Sequence, residues 1–216
     1  MIPLRVTCQL VRGIILSRPI HLDGLLGAAV ALRDQLPPPL DASSIVPIEL
    51  PLARERGVWL ASASEHVVET RELRYINRRF PLNIAQMMGA KSIKTIDIKA
   101  GPSASERTPI DVQHLESDLL TWWCVGDATE IRALLTLVHH VGRKRGVGFG
   151  EVAPGGWIVE SCEPWGDGFP VMRDGMPTRN LPANWPGLSH DAIIEYAPPS
   201  PPYWERTRDT LCAVPL

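Results

Sequence analysis

The chain lacks any C-x-x-C pair. Its four cysteines, Cys8, Cys124, Cys162 and Cys212, are scattered along 216 residues with no histidine at ligand spacing. Neither a zinc site nor a disulfide framework is indicated, and buried free thiols are expected. There is no unbroken run of roughly 18 apolar residues, so no membrane span is expected. The start, Met1-Ile2-Pro3-Leu4-Arg5, lacks the basic-then-apolar order of a signal peptide, which predicts a cytoplasmic protein. No H-x-x-x-H or paired-carboxylate cluster occurs, so no metal and no cofactor are expected. An excess of positive charge is missing too. The formal net charge of −2 argues against a uniformly basic nucleic-acid binder, but a net value hides its distribution.

That distribution is uneven. Between Arg71 and Arg107 stand eight cations, Arg71, Arg74, Arg78, Arg79, Lys91, Lys94, Lys99 and Arg107, against Glu72, Asp97 and Glu106. A composition of 44% hydrophobic and 21% charged residues suffices for a full core. We expect one domain over residues 1–160, with an insertion at about 81–110, and an irregular extension over 161–216 packed upon it. From Pro154 onward the chain holds 11 of its 21 prolines and four of its seven tryptophans, which points to wrapped, mostly irregular structure.

Leu4 to Val11 is rich in β-formers and reads as a first strand. Leu22, Leu25, Leu26, Ala29 and Leu32 fall at helical spacing, and Pro37-Pro38-Pro39 stops that helix. Ile45–Leu50 and Val58–Ala63 are apolar runs bounded by Pro and Gly, predicted as strands. From Glu65 to Phe80 the expectation is a strand passing into a helical turn, which would put Arg71, Arg74, Tyr75, Arg78 and Arg79 on one face. Asn83 to Ile110 reads as a protruding hairpin with its tip at Gly101–Thr108. Val112–Val125 is a long strand in which adjacent Trp122 and Trp123 face opposite ways. Asp127 and Glu130 are a capping pair for a helix through Ile131, Leu134, Leu135 and Val138, ending at His139-His140. The order of elements is that of an α+β, ferredoxin-like (RRM-like) domain.

The most specific feature is the stretch Gly142-Arg143-Lys144-Arg145-Gly146-Val147-Gly148-Phe149-Gly150. Glycines let backbone N–H groups approach phosphate oxygens, and the cations neutralise the same chain. A Walker loop or dinucleotide fingerprint puts a strand before its glycines and a helix after them. Here that order is reversed and no G-K-[ST] triplet is present, so NTP hydrolysis has little support. The plain alternative is a helix C-cap, but a cap needs one glycine rather than four.

Together with Pro19-Ile20-His21-Leu22-Asp23-Gly24-Leu25-Leu26-Gly27-Ala28-Ala29, this stretch resembles the RAMP proteins of CRISPR-Cas systems, ferredoxin-like RNA binders. Among them it is most similar to the Csf group of type IV effector complexes, at the subunit that holds the 5′ handle of the guide RNA. The resemblance covers about the first two-thirds of the chain. It implies a non-catalytic subunit that grips the crRNA handle, folds a thumb-like hairpin over the guide and caps a filament of backbone subunits. It also implies contact with the large subunit and a position near the target DNA. The RNA-binding residues it suggests are Gly142, Arg143, Lys144, Arg145, Gly146, Gly148, Phe149, Arg71, Arg74, Tyr75, Arg78, Arg79, Lys91, Lys94 and His21. Two plainer readings stand beside it: a solvated basic face for the arginines, and a first-turn helix residue favoured by the dipole for Asp23. The runner-up function is a RAMP-type endoribonuclease that processes precursor crRNA, for which His21, His66, His139 and His140 are the available acids or bases.

Overall fold

The computed structural model describes residues 1–37, 46–78 and 106–215. Pro38, Pro39, Ile45, Arg79, Phe80, Lys91, Lys94 and Lys99 lie outside the described residues, as does the expected insertion as far as residue 105.

Strand β1 (Ile2–Leu10) sends Leu4, Val6, Cys8 and Leu10 inward, while Arg5, Thr7 and Gln9 take the other face. It is the central strand of an antiparallel sheet ordered β6-β1-β7, with β6 at Leu119–Gly126 and β7 at Val152–Ser161. Val6 is in register with Trp122 on one side and Val159 on the other. Helices α1 (Leu22–Arg33) and α2 (Ala128–Leu135) contribute Leu22, Leu25, Leu26, Ala29, Ile131, Leu134 and Leu135 to the core under that sheet. Each such Leu or Ile contributes roughly 1.5–3 kcal/mol of burial free energy. Helix α1 ends where Asp34 leaves helical geometry and Gln35 turns to φ 53, two residues before Pro37. Asp127 caps α2 by accepting from the N–H groups of Thr129 (2.9 Å) and Glu130 (3.0 Å). The capping is one-sided, since the Glu130 carboxylate reaches Arg33 of α1 instead.

Trp122 is fully buried and donates its indole N–H to the Ile20 carbonyl at 2.7 Å. Trp123 faces the other way, as alternation requires, and meets Trp165 edge-on at 5.3 Å. Arg173 lies 4.0 Å over the Trp165 ring and pairs with Glu65.

A separate two-stranded ribbon consists of β4 (Val68–Arg78) and β5 (Glu106–Leu115), antiparallel with Leu73 opposite Asp111. Segment 54–59 forms a small hairpin from β2 (Arg54–Glu55) and β3 (Val58–Trp59). The extension holds a hairpin of β8 (Met172–Arg173) and β9 (Met176–Pro177). It also holds a three-stranded sheet ordered β10-β12-β11, from Leu181–Pro182, Thr210–Ala213 and Ile194–Ala197.

Several expectations are corrected. Residues 46–50 are not a strand, because Pro47 has no N–H for a ladder and Pro51 follows at once. Of Val58–Ala63 only β3 is regular, with single bridges from Ala61 to Cys124 and from Ala63 to His21. Through Arg78 the segment is strand rather than helical turn, since pairing with β5 continues to that residue, and Arg79 and Phe80 lie outside the described residues. The expected helical cluster of cations is therefore split by the twofold period, with Arg71 and Tyr75 on one face and Arg74 on the other. Val112–Val125 is broken at Glu116–Asp118, where Ser117 and Asp118 adopt φ 54 and 51, and its halves join different sheets. Helix α2 stops at Leu135, where the Thr136 hydroxyl bonds back to the Ala133 carbonyl. His139 and His140 thus lie beyond it. The extension is less irregular than its prolines suggest, because Leu181, Ala197, Cys212 and Ala213 give it a buried apolar seam.

Candidate nucleic-acid interface

The glycine-rich stretch is a closed loop rather than a helix cap. At its neck, Val141 N–H donates to Gly150 O (2.8 Å), Val152 N–H donates to His139 O (2.9 Å), and His140 bridges Glu151. Arg143 N–H donates to Ile15 O (3.0 Å) and Gly150 N–H to Gly13 O (3.2 Å), which staples the loop to the segment after β1. The neck glycines are sterically required. A Cβ on Gly150, at φ +65, would stand 1.9 Å from the Val141 oxygen, and one on Gly142, at φ +82, would stand 2.9 Å from Ile15 O. Gly146 is different, with nothing within 4 Å of its position.

The loop tip is a single 3₁₀ turn over Arg145–Val147, entered through Lys144 at φ 58. Val147 and Gly148 donate back to Lys144 and Arg145. Among the described residues nothing accepts from the consecutive N–H groups of Lys144, Arg145 and Gly146. The side chains of Arg143, Lys144 and Arg145 are exposed, and none forms an ion pair among the described residues. Three N–H donors and three cations, without acceptors or ion-pair partners among the described residues, stand together on one short tip, and these are the groups an anion-binding nest uses.

Phe149 is half-buried against Ile15, Ile110 and Val112, so its ring joins the loop to the base of the ribbon. Arg71 is paired with Asp111 (2.5 Å) and Arg74 with Glu72 (2.8 Å), while His114 also approaches Glu72. Tyr75 is 54% exposed. The side chain of Arg78 lies outside the described residues, as do Arg79, Lys91 and Lys94.

A groove of about 1190 Å³ joins the loop to α1 and the extension. Gly142, Arg143 and Arg145 line it, together with His21, His140 and the residues Ser200–Trp204. Beneath it lies the feature that sequence reading missed. Arg179 is completely buried and donates to Asp23 Oδ2 (2.9 Å), to the Tyr203 hydroxyl (2.7 Å) and to the carbonyls of Trp59, Ala61 and Pro199. The Tyr203 hydroxyl in turn donates to Asp23 (2.8 Å), and its ring stacks on His21 at 4.2 Å. Asp23 does stand in the first turn of α1, as expected, but it is also half of a buried ion pair. Burial, the largest single influence, lowers the Arg179 pKa, but the Asp23 carboxylate together with Tyr203 and Cys212 outweighs it and the net direction is up. Burial pushes the Tyr203 phenol well up, so its hydroxyl stays protonated. His21 is pulled down to about 4 by burial, with the Arg179 charge adding and Asp23 opposing. Its ring is therefore neutral near pH 7, and its buried Nδ1 has no hydrogen-bond partner among the described residues.

All four cysteines are free, and burial pushes Cys8 and Cys124 up to about 12. No helix among the described residues is long and apolar enough to cross a membrane.

Comparison with curated proteins gives no match. A protein family does match, and it matches through the extension as well as the core: CRISPR type IV associated protein Csf3, over residues 2–215. With nearly every residue covered, the chain belongs to the Csf3 family of type IV CRISPR-associated proteins.

Proposed function

We propose that this chain is a non-catalytic RNA-binding subunit of a type IV CRISPR effector complex, which grips the 5′ handle of the crRNA through the loop Gly142–Gly150 and caps the filament of backbone subunits. Membership of the Csf3 family supports the setting. The carrying observation is the tip itself, where exposed Arg143, Lys144 and Arg145 accompany the N–H groups of Lys144, Arg145 and Gly146, which have no acceptor among the described residues. Phosphate recognition needs both parts, since cations supply affinity and N–H donors supply geometry. The strand order β6-β1-β7 with both helices beneath one face is compatible with a ferredoxin-like domain. The ribbon of β4 and β5 is our candidate for the base of a thumb over the guide. Backbone and large subunits, with target DNA nearby, are the partners this reading requires.

The test is RNA binding by the variant with Arg143, Lys144 and Arg145 all changed to Ala. Its log K against log [salt] slope should fall in magnitude by up to roughly 2, at about 0.7 per lost contact with a single strand. Unchanged affinity and slope in a folded triple variant would reduce the loop to a structural connection.

One observation favours the endoribonuclease reading: His21 and His140 line the same groove as Arg143 and Arg145. Cleavage of a repeat-containing transcript, lost in His21→Ala or His140→Ala, would put that reading first.

A further inference from the structure

The groove beside the loop has a second wall that belongs to the extension. Arg18, Arg54, Arg143, Arg145 and Arg208 line it, while Glu49 is its one acidic lining residue among the described residues. At about 1190 Å³ the groove has room for more than one nucleotide. Trp204 lines the same groove and is 57% exposed. Cations interleaved with an accessible aromatic plane are what single-stranded nucleic acid uses, phosphates on the former and a base on the latter. Helix α1 lines it with Gly24, whose surface the Tyr203 ring covers at 3.1 Å from a built Cβ, and with Gly27, where nothing among the described residues lies within 4 Å of a built Cβ, so a strand can approach the helix closely at Gly27.

This wall is held in place. Tyr203, next to Trp204, is pinned by its hydrogen bond to Asp23, by Arg179 and by the His21 stack. Arg208 donates to the Pro201 carbonyl at 2.7 Å and to the Ser200 hydroxyl at 3.5 Å, which orients the guanidinium along the wall. Groups fixed in this way lose little entropy on binding.

We infer that residues 200–208 form the second wall of a single-stranded RNA groove, in which Trp204 stacks on a base and Arg208 joins Arg143 and Arg145 on the phosphate chain. This rests on the RNA reading of the loop and extends it to a part of the chain that the sequence left without a role.

The experiment uses the full chain and a labelled, repeat-derived single-stranded RNA of about 12 nucleotides, within the 4–16 typical of single-strand sites. Trp204→Ala should lower affinity about 5- to 100-fold with no change in salt slope. Arg208→Ala should lower the magnitude of the slope by about 0.7. Because a substitution can disturb folding, the parent protein is also crosslinked to RNA carrying 4-thiouridine, and crosslinks should map to Tyr203–Arg208. If both wall variants bind like the parent and no crosslink reaches that peptide, while the triple loop variant loses RNA, the inference falls and the loop reading stands. If the loop variant binds normally and the wall variants do not, the loop reading falls and the wall carries the RNA. Normal RNA binding by the wall variants with failed co-purification of partner subunits would make this a protein contact and overturn the inference.

Discussion

Asp23 and Arg179 are 156 residues apart in the chain and meet at 2.9 Å with no access to water. Removing one partner leaves the other as an uncompensated charge in the interior, which costs about 3–5 kcal/mol. Asp23→Ala and Arg179→Ala are each expected to lose that much stability in urea unfolding, although neither residue touches the loop tip. The double variant should lose less than the sum of the singles, and additivity within about 0.5 kcal/mol would show that the pair does not interact.

The buried histidine predicts a pH dependence. Unfolded His21 titrates near 6.5 and the folded residue near 4, so between those values only the unfolded chain takes the proton. Stability from this group is complete above pH 6.5 and falls as pH drops toward 4, by up to about 3 kcal/mol. His21→Phe keeps a ring against Tyr203 and removes the titration. The gap in unfolding free energy between parent and variant should therefore shift in favour of the variant from pH 7 to pH 4.5; a constant gap would place the His21 proton elsewhere.

The glycines of the loop divide into two kinds. Gly150→Ala drives a Cβ into the Val141 carbonyl at a positive φ and should cost at least about 1–3 kcal/mol, read as a lowered unfolding midpoint. Gly146→Ala meets nothing and should leave stability within about 0.5 kcal/mol. An RNA defect in Gly146→Ala at normal stability would then report backbone approach alone.

On the ribbon, Asp111 and Glu72 occupy the charges of Arg71 and Arg74. Asp111→Asn should release Arg71, raising RNA affinity and steepening the salt slope by up to about 0.7 if that face meets phosphate. Its effect on stability should stay below about 1 kcal/mol, as for other exposed pairs. No change in slope would assign the ribbon arginines to a solvated surface.

The sequence made the central sheet legible because one face of it is buried. Leu4, Val6, Cys8 and Leu10 alternate, α1 and α2 carry apolar stripes, and Asp127 announces its helix. The loop was legible from glycine and charge alone. What failed was structure set by distant pairing, as where β5 holds β4 extended against its local helical period. Nor does spacing indicate that Phe149 would pack on Val112 rather than face solvent. Asp23 carried a hint, a carboxylate inside an apolar helix stripe that needs a cation, but nothing in the chain selects Arg179 from the other arginines. The groove wall at Trp204 was illegible for the same reason, since it depends on where Tyr203 is pinned.

The long reach between Asp23 and Arg179 also bears on how the chain is made. At roughly 5–20 residues per second, Arg179 leaves the ribosome about 8–30 seconds after Asp23. Throughout that interval the first turn of α1 has a carboxylate and no cation to meet it, so its final docking awaits the last quarter of the chain. A chain interrupted before residue 179 leaves Asp23 in the interior with no cation, a penalty of about 3–5 kcal/mol on the seat of α1.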